Sequence, residues 1–148
     1  MKTDALFYEL FRFDPHTLFQ LLRLHLPEPY TFESITIKTT EKRLDGLFRP
    51  VAGQGPDVFL EVQAYPDPKI YWRLFREITT YYEQRPEPAT PFLAIVLFLN
   101  KTDDYGSGEL AVWEHASPPR LIRAYLEDCL QALPEAKGAL TVLRPLIL

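Results

Sequence analysis

Cysteine, methionine and glycine are scarce in this sequence. Its 148 residues include one cysteine, one methionine and six glycines. The single cysteine, Cys129, excludes an internal disulfide framework and a cysteine-rich zinc site. With 47% hydrophobic and 24% charged residues, the chain has the composition of ordinary globular protein. We expect residues 1–148 to form a single domain with one core.

Positive charge is in deficit, and long apolar runs are missing. Lysine and arginine number 16 against 20 acidic residues, which gives a net charge of -4 at pH 7. Any surface that binds nucleic acid must therefore be a local basic patch. The N-terminus lacks an apolar signal core, and no run reaches membrane-spanning length, which predicts a cytoplasmic protein with no membrane partner.

Several catalytic motifs are missing as well. The GSG at residues 106–108 is not part of a G-x-S-x-G nucleophile turn. The GQG at residues 53–55 lacks both the rest of a dinucleotide fingerprint and a P-loop lysine, and H-E-x-x-H does not occur. The sequence therefore gives no motif support to serine hydrolases, nucleotide-binding folds or zinc peptidases.

Periodicity and composition predict an alternation of helices and strands. We expect helices over residues 4–13, 15–26 and 69–84, and strands over residues 33–40, 44–48, 58–65, 92–99 and 110–114. The run 120–133 has helical periodicity. The apolar tail, GALTVLRPLIL, is expected to pack on the domain or on a partner chain.

Acidic residues interrupt two neighbouring apolar strands. Side chains alternate along a strand, so Glu61 and Gln63 are expected on one face, with Leu60 and Val62 on the other. The loop PVAGQGPD has the Pro and Gly content of a hairpin connection, which predicts that Asp45 folds back close to Glu61. A carboxylate inside an apolar strand is costly to bury without a partner. Two carboxylates at one place therefore suggest a divalent cation.

The order Asp45, a loop, and then Glu61-Val62-Gln63 resembles the signature of the PD-(D/E)xK nuclease superfamily, with Gln63 where most members carry lysine. The segments TDALFYELF, KRLDGLF, FLEVQ and YWRLFREITTYY together are similar to its transposase branch, which is related to recombination-promoting nucleases. The resemblance implies a restriction-endonuclease-like α/β fold with an αβββαβ core and a mixed central sheet flanked by helices. It also favours a strand over the first half of 120–133, against the helical periodicity there.

The resemblance further implies a magnesium site. Asp45, Glu61 and the backbone carbonyl of Val62 would hold Mg²⁺ or Mn²⁺, and Gln63 would take the place of the catalytic lysine. Asp4, in the first predicted helix, would add a further carboxylate. Each acid also has a structural alternative. Asp45 could lie in a turn-like LDG segment, and Glu61 could lie on a solvated sheet face. Asp4 could serve only to stabilise the helix, because an acid in the first turn interacts favourably with the helix dipole.

DNA is the partner that the resemblance implies. Lys38, Lys42 and Arg43 lie on or beside the predicted hairpin and would neutralise phosphates, although scattered surface charges are common. In the helix that follows, Tyr71 and Arg73 match family positions near the site. Core packing is the alternative role for Tyr71, and a salt bridge with Glu77 is the alternative for Arg73.

The expected function is therefore that of a metal-dependent DNA endonuclease of mobile-element origin. The alternative is a catalytically degenerate module of the same fold that acts in DNA binding or protein assembly. A neutral amide at Gln63, the acidic balance and the apolar tail favour the alternative. A homodimer is a further expected partner, and relatives often continue past this point into a C-terminal region that would hold part of a binding surface.

Overall fold

A mixed five-stranded sheet forms the centre of this computed structural model, which describes residues 3–26, 29–37, 42–87 and 90–132, without the side chains of residues 3–5, 34–37 and 42–45. The strands follow the chain in spatial order, as β1 (Tyr30–Ile37), β2 (Lys42–Pro50), β3 (Asp57–Gln63), β4 (Phe92–Phe98) and β5 (Leu121–Tyr125). The helices are α1 (Thr3–Phe13), α2 (His16–Leu22), α3 (Ile70–Glu83) and α4 (Leu126–Ala132).

The sheet combines an antiparallel meander with a parallel half. Strands β1, β2 and β3 pair antiparallel, whereas β3, β4 and β5 pair parallel. The parallel pairing of β3 with β4 requires a crossover, and α3 supplies it. The predicted α/β architecture with an αβββαβ order and a mixed sheet is confirmed.

Two hydrophobic clusters cover opposite faces of the sheet. Alternation along β3 sends Phe59 to the face covered by α3, and Leu60 and Val62 to the face covered by α1, α2 and α4. Strand β4 is buried along almost its whole length because both faces are covered, as its run of apolar residues predicts. Strands β3 and β4 are therefore packed on both faces, and the polar groups near the carboxyl end of β3 lie beside this packed core.

Three predicted elements differ from the structure. The strand predicted over 110–114 is wrong: Gly108–Trp113 forms a 3₁₀ helix, and the positive φ angles of Gly106 and Gly108 end any extended path before it. Helix α2 ends at Leu22, short of residue 26, because Arg23 takes a left-handed conformation with φ of 57°. The run 120–133 divides into β5 and then α4, so the strand favoured for its first half is present.

Other expectations fall outside the described part of the chain. These are the end of the first strand at residues 38–40 and the apolar tail beyond residue 132. Among the described residues, none of the helices has the length and apolar character that crossing a membrane requires.

Candidate functional site

The antiparallel pairing of β2 with β3 places residues 45 and 61 beside each other on neighbouring strands. Gly46 pairs with Leu60, Leu47 with Phe59, and Phe48 with Val58. Asp45 and Glu61 are the next positions along these two strands. The predicted hairpin is confirmed, and the turn-like alternative for Asp45 is wrong, because residue 45 lies inside β2.

Several predicted site residues have side chains outside the described part of the structure. Lys38 lies outside it altogether. Asp4 in α1, and Lys42, Arg43 and Asp45 in β2, are described by their backbone only. Their predicted roles in binding metal or DNA therefore stay predictions.

A glycine is required beside Asp45. A Cβ atom added at Gly46 would lie 2.7 Å from the carbonyl oxygen of Leu60 and 3.0 Å from its Cβ. Real Cβ atoms do not come that close to a backbone oxygen, and the sheet backbone is not free to move away. The short distance between β2 and β3 at this point therefore depends on Gly46.

The backbone of Val62 faces the side of β3 that carries β2. The amide of Leu99 donates to the carbonyl of Gln63 at 3.1 Å, so residue 63 faces β4. Successive residues of a strand bond to opposite sides, which turns Val62 toward β2. Its N–H donates to the hydroxyl of Tyr8 at 3.4 Å. The carbonyl of Val62 shares that direction, since the N–H and C=O of one strand residue project to the same side.

Glu61 belongs to an acidic group that is bridged by one arginine. Arg73 Nη2 lies 2.9 Å from Glu61 Oε1, and Arg73 Nη1 contacts Asp67. Arg73 Nε lies 3.9 Å from Glu77 Oε1, so the predicted contact with Glu77 is present but is longer than the one with Glu61. The side chains of Glu61, Asp67 and Glu77 are 20%, 17% and 7% exposed.

Local structure holds this group in place. Asp67 Oδ1 accepts the backbone N–H of Lys69 at 3.0 Å, which fixes Asp67 at the entrance to α3. Burial on its own lowers the pKa of the Arg73 guanidinium, but the hydrogen bond and charge of Glu61, together with the charge of Asp67, raise that pKa above its ordinary value. Arg73 is therefore a permanent cation among three carboxylates.

Gln63 is buried at the end of β3. Its side chain is 1% exposed, and Nε2 donates to the carbonyl oxygen of Tyr65 at 2.5 Å. This contact directs the amide N–H of Gln63 toward the backbone that follows β3. Gln63, for which the sequence predicts a catalytic role, thus has an interior hydrogen bond.

Tyr71 lies in the core and anchors a second polar network. Its side chain is 3% exposed, and its hydroxyl donates to Asp104 at 2.7 Å. Asp104 also accepts from Tyr125 at 2.5 Å, from Arg123 at 3.0 Å and from the backbone N–H of Gly106 at 2.8 Å. Burial works to raise the pKa of Asp104, but these hydrogen bonds, led by those of the two tyrosines, lower it below its usual value.

The sequence reasoning did not single out Asp67 or Asp104. Asp67 lies just before α3, and nothing in its local sequence shows that Arg73, one turn into the helix, will contact it. Asp104 lies in the sequence DYG, and its contact with the N–H two residues later is the Asx turn that such a sequence favours. The sequence therefore predicts the turn. It does not predict the contacts with Tyr71 and Tyr125, which lie in other elements.

The donor set at β3 agrees in kind with Mg²⁺. The carboxylate of Glu61 and the carbonyl of Val62 are hard oxygen ligands, and Asp45 occupies the adjoining strand position. Among the side chains that the structure describes, no group of three or more His, Cys, Asp or Glu residues is arranged to hold a metal ion. A metal at Glu61 would therefore need a carboxylate outside the described side chains, such as Asp45 or Asp4, and it would meet Arg73 as a competing cation.

Comparison with known protein families gives a match over nearly the whole chain. A family model described as "Protein of unknown function (DUF2887)" matches residues 3–147. No curated protein and no solved structure matches the chain. That family description names no activity, so the function has to be inferred from the site itself.

Proposed function

We propose that this chain, which belongs to the DUF2887 family of unknown function, is a metal-dependent DNA endonuclease-like protein of mobile-element, transposase-type origin within the PD-(D/E)xK superfamily. The pairing of Gly46 with Leu60 carries the proposal, because it makes Asp45 and Glu61 the next positions on two adjoining strands. The partly exposed carboxylate of Glu61 and the direction of the Val62 carbonyl support the same location.

Asp45, Glu61 and the Val62 carbonyl would hold Mg²⁺ or Mn²⁺, with Asp4 as a further carboxylate. When bound, the ion supplies an activated water and stabilises negative charge on the phosphate. The chain's own residues orient these groups: Gly46 lets the strands approach, and Arg73 fixes the carboxylate of Glu61 at 2.9 Å. Gln63 supplies no positive charge, and its amide donates to the Tyr65 carbonyl, so we expect slow cleavage.

Arg73 has a second role in this proposal. Its planar guanidinium can pair with two oxygens of a phosphate as well as with carboxylates. Arg73 is proposed to contact a DNA phosphate beside Glu61, because its Nη2 atom lies 2.9 Å from Glu61 Oε1. Lys38, Lys42 and Arg43 are proposed to contact the DNA backbone beside it, since residues 42 and 43 begin the strand that carries Asp45.

A cleavage assay tests the proposal. Supercoiled plasmid and linear DNA are incubated with Mg²⁺ or Mn²⁺ and with wild type, Asp45→Asn, Glu61→Gln or Glu9→Gln. The last variant is the control, because Glu9 is 72% exposed on α1 and pairs with Arg12 at 2.9 Å. We expect cleavage by wild type and by Glu9→Gln, and its loss in both other variants. Cleavage that survives both Asp45→Asn and Glu61→Gln would falsify the proposal.

The alternative is a degenerate nuclease-fold module that acts in DNA binding or protein assembly. Two observations favour it: the Arg73 guanidinium already neutralises Glu61, and the Gln63 amide is buried and hydrogen-bonded. Calorimetry separates the two candidates. Folded protein that binds no Mg²⁺ or Mn²⁺ at millimolar concentration, and that elutes as a stable homodimer, supports the assembly module against the enzyme.

A further inference from the structure

The outer face of α3 carries cations around an exposed tryptophan. Lys69 directly precedes the helix, and Trp72 and Arg76 follow at spacings of three and four residues, which places all three on one face. With Arg73, they line an open groove of about 490 Å³. Trp72 is 54% exposed. No acidic side chain lines this groove among the residues described.

These side chains are available to a ligand. Within the described ranges, neither Lys69 nor Arg76 has an ion-pair partner, and no aromatic ring stacks on Trp72. Tryptophan has a large apolar surface, so leaving half of it in water loses stability that burial would give. A wide exposed indole between cations therefore indicates a ligand that has both a flat aromatic face and negative charge.

The groove adjoins the proposed catalytic site through Arg73. This side chain lines the groove, and its Nη2 atom lies 2.9 Å from Glu61 Oε1. A ligand that lies along α3 therefore reaches Glu61 without crossing the core. Lys69 and Arg76 are separated by about 10 Å along the helix axis, which leaves room for Trp72 and one stacked base between two phosphate contacts.

We propose that this groove binds a single-stranded segment of DNA. Trp72 stacks on an unpaired base, and Lys69 and Arg76 pair with the phosphates on either side of it. Bases of an intact duplex present only their edges, whereas an unpaired base presents the face that an indole needs. The net charge of -4 gives no general attraction to DNA, so this local patch provides the docking. The location at Glu61 rests on the proposed function, but the binding itself does not.

Fluorescence anisotropy of a labelled oligothymidylate measures the binding, in EDTA so that no cleavage occurs. Trp72→Ala is expected to weaken binding by about tenfold, and Trp72→Phe to retain most of it, because a smaller ring still stacks. The matched control is Tyr105→Ala, which removes an aromatic side chain that is 59% exposed on another segment. It is expected to bind as wild type does. Circular dichroism verifies that each variant is folded.

Salt dependence tests the phosphate contacts. Lys69→Gln and Arg76→Gln are each expected to reduce the slope of log affinity against log salt by about 0.7, the value for one neutralised phosphate on a single strand. A duplex of the same length should bind more weakly, and its binding should not change with Trp72→Ala.

Three results overturn the inference: equal binding by wild type and Trp72→Ala, a duplex that binds as tightly as the single strand, or an RNA strand that binds tenfold tighter than DNA. Failure of the proposed function looks different. If binding depends on Trp72 but Mg²⁺ never gives cleavage, only the nuclease proposal fails. If cleavage depends on Glu61 but Trp72→Ala binds normally, only this inference fails.

Discussion

Arg73 Nη2 lies 2.9 Å from Glu61 Oε1, so the carboxylate that we propose as a metal ligand already has a cation beside it. The same guanidinium contacts Asp67 and lies 3.9 Å from Glu77. Two cations that approach one carboxylate repel each other, and this repulsion is stronger where the side chains are partly buried. Binding of a divalent ion at Glu61 is therefore expected to compete with the Arg73 contact.

Removal of Arg73 should reveal this competition. Arg73→Gln is expected to tighten Mn²⁺ binding by on the order of tenfold, because positive charge is lost beside partly buried carboxylates. Titration calorimetry measures the affinity. Arg76→Gln is the matched control, since it removes the same charge from an exposed position on the same helix. Its effect should stay within about twofold because water and salt screen it. Weaker Mn²⁺ binding by Arg73→Gln contradicts competition.

A side chain at position 46 should destabilise the fold. Gly46→Ala would place a Cβ atom 2.7 Å from the Leu60 carbonyl oxygen, so the β2–β3 pairing beside Asp45 and Glu61 would have to shift. We expect a loss of about 2 kcal/mol in the free energy of unfolding, measured by urea denaturation. Val51→Ala, at a 65% exposed position after β2, is the control and should have little effect. An unchanged midpoint for Gly46→Ala would show that the strands can separate freely here.

The central part of the fold was predictable because its elements have clear local patterns. The apolar run of β4 and the periodicity of α3 identify both elements, and a strand, helix, strand order then gives parallel pairing. Strand β5 was harder to recognise. Leu121 and Ala124 are its buried residues, and their spacing of three resembles a helix. Both faces of β5 are covered, so the simple alternation of a half-exposed strand does not occur.

The site was predictable in its strand positions but not in its contacts. Strand alternation and a hairpin bring residues 45 and 61 together without any knowledge of tertiary structure. The main partner of Arg73, Glu61, could not be predicted in this way. Sequence spacing identifies only neighbours on the same helix, and Glu77 is such a neighbour. The shorter contact with Glu61 arises from the way α3 folds back beside β3, which no local pattern determines.

Gln63→Lys should separate catalytic from structural roles at this position. An ammonium would supply the positive charge that the amide lacks, and cleavage with Mg²⁺ is expected to rise at least about tenfold. The position is 1% exposed, so burial of the charge should cost several kcal/mol of stability. Plasmid cleavage per folded molecule and thermal unfolding measure the two effects. Gln20→Lys, at an exposed position of α2, is the control. Lower stability without faster cleavage would assign Gln63 a structural role only.

The carboxylate of Asp104 should make stability depend on pH. Its side chain is 3% exposed and pairs with Arg123, so Asp104→Asn is expected to cost about 3 kcal/mol at pH 7. The pKa of Asp104 is lowered in the folded protein. Its stabilisation is therefore complete above the unfolded pKa of about 4 and is lost as the pH falls from there through the folded pKa.

Urea denaturation of wild type and Asp104→Asn from pH 7 to pH 3 tests this pH dependence. The difference in their free energies of unfolding should be constant above about pH 4 and should shrink below it. Asp128→Asn, which removes a carboxylate that is 48% exposed, is the control and should cost less than about 1 kcal/mol. A difference that is the same at pH 3 as at pH 7 would exclude the Asp104 charge as its source.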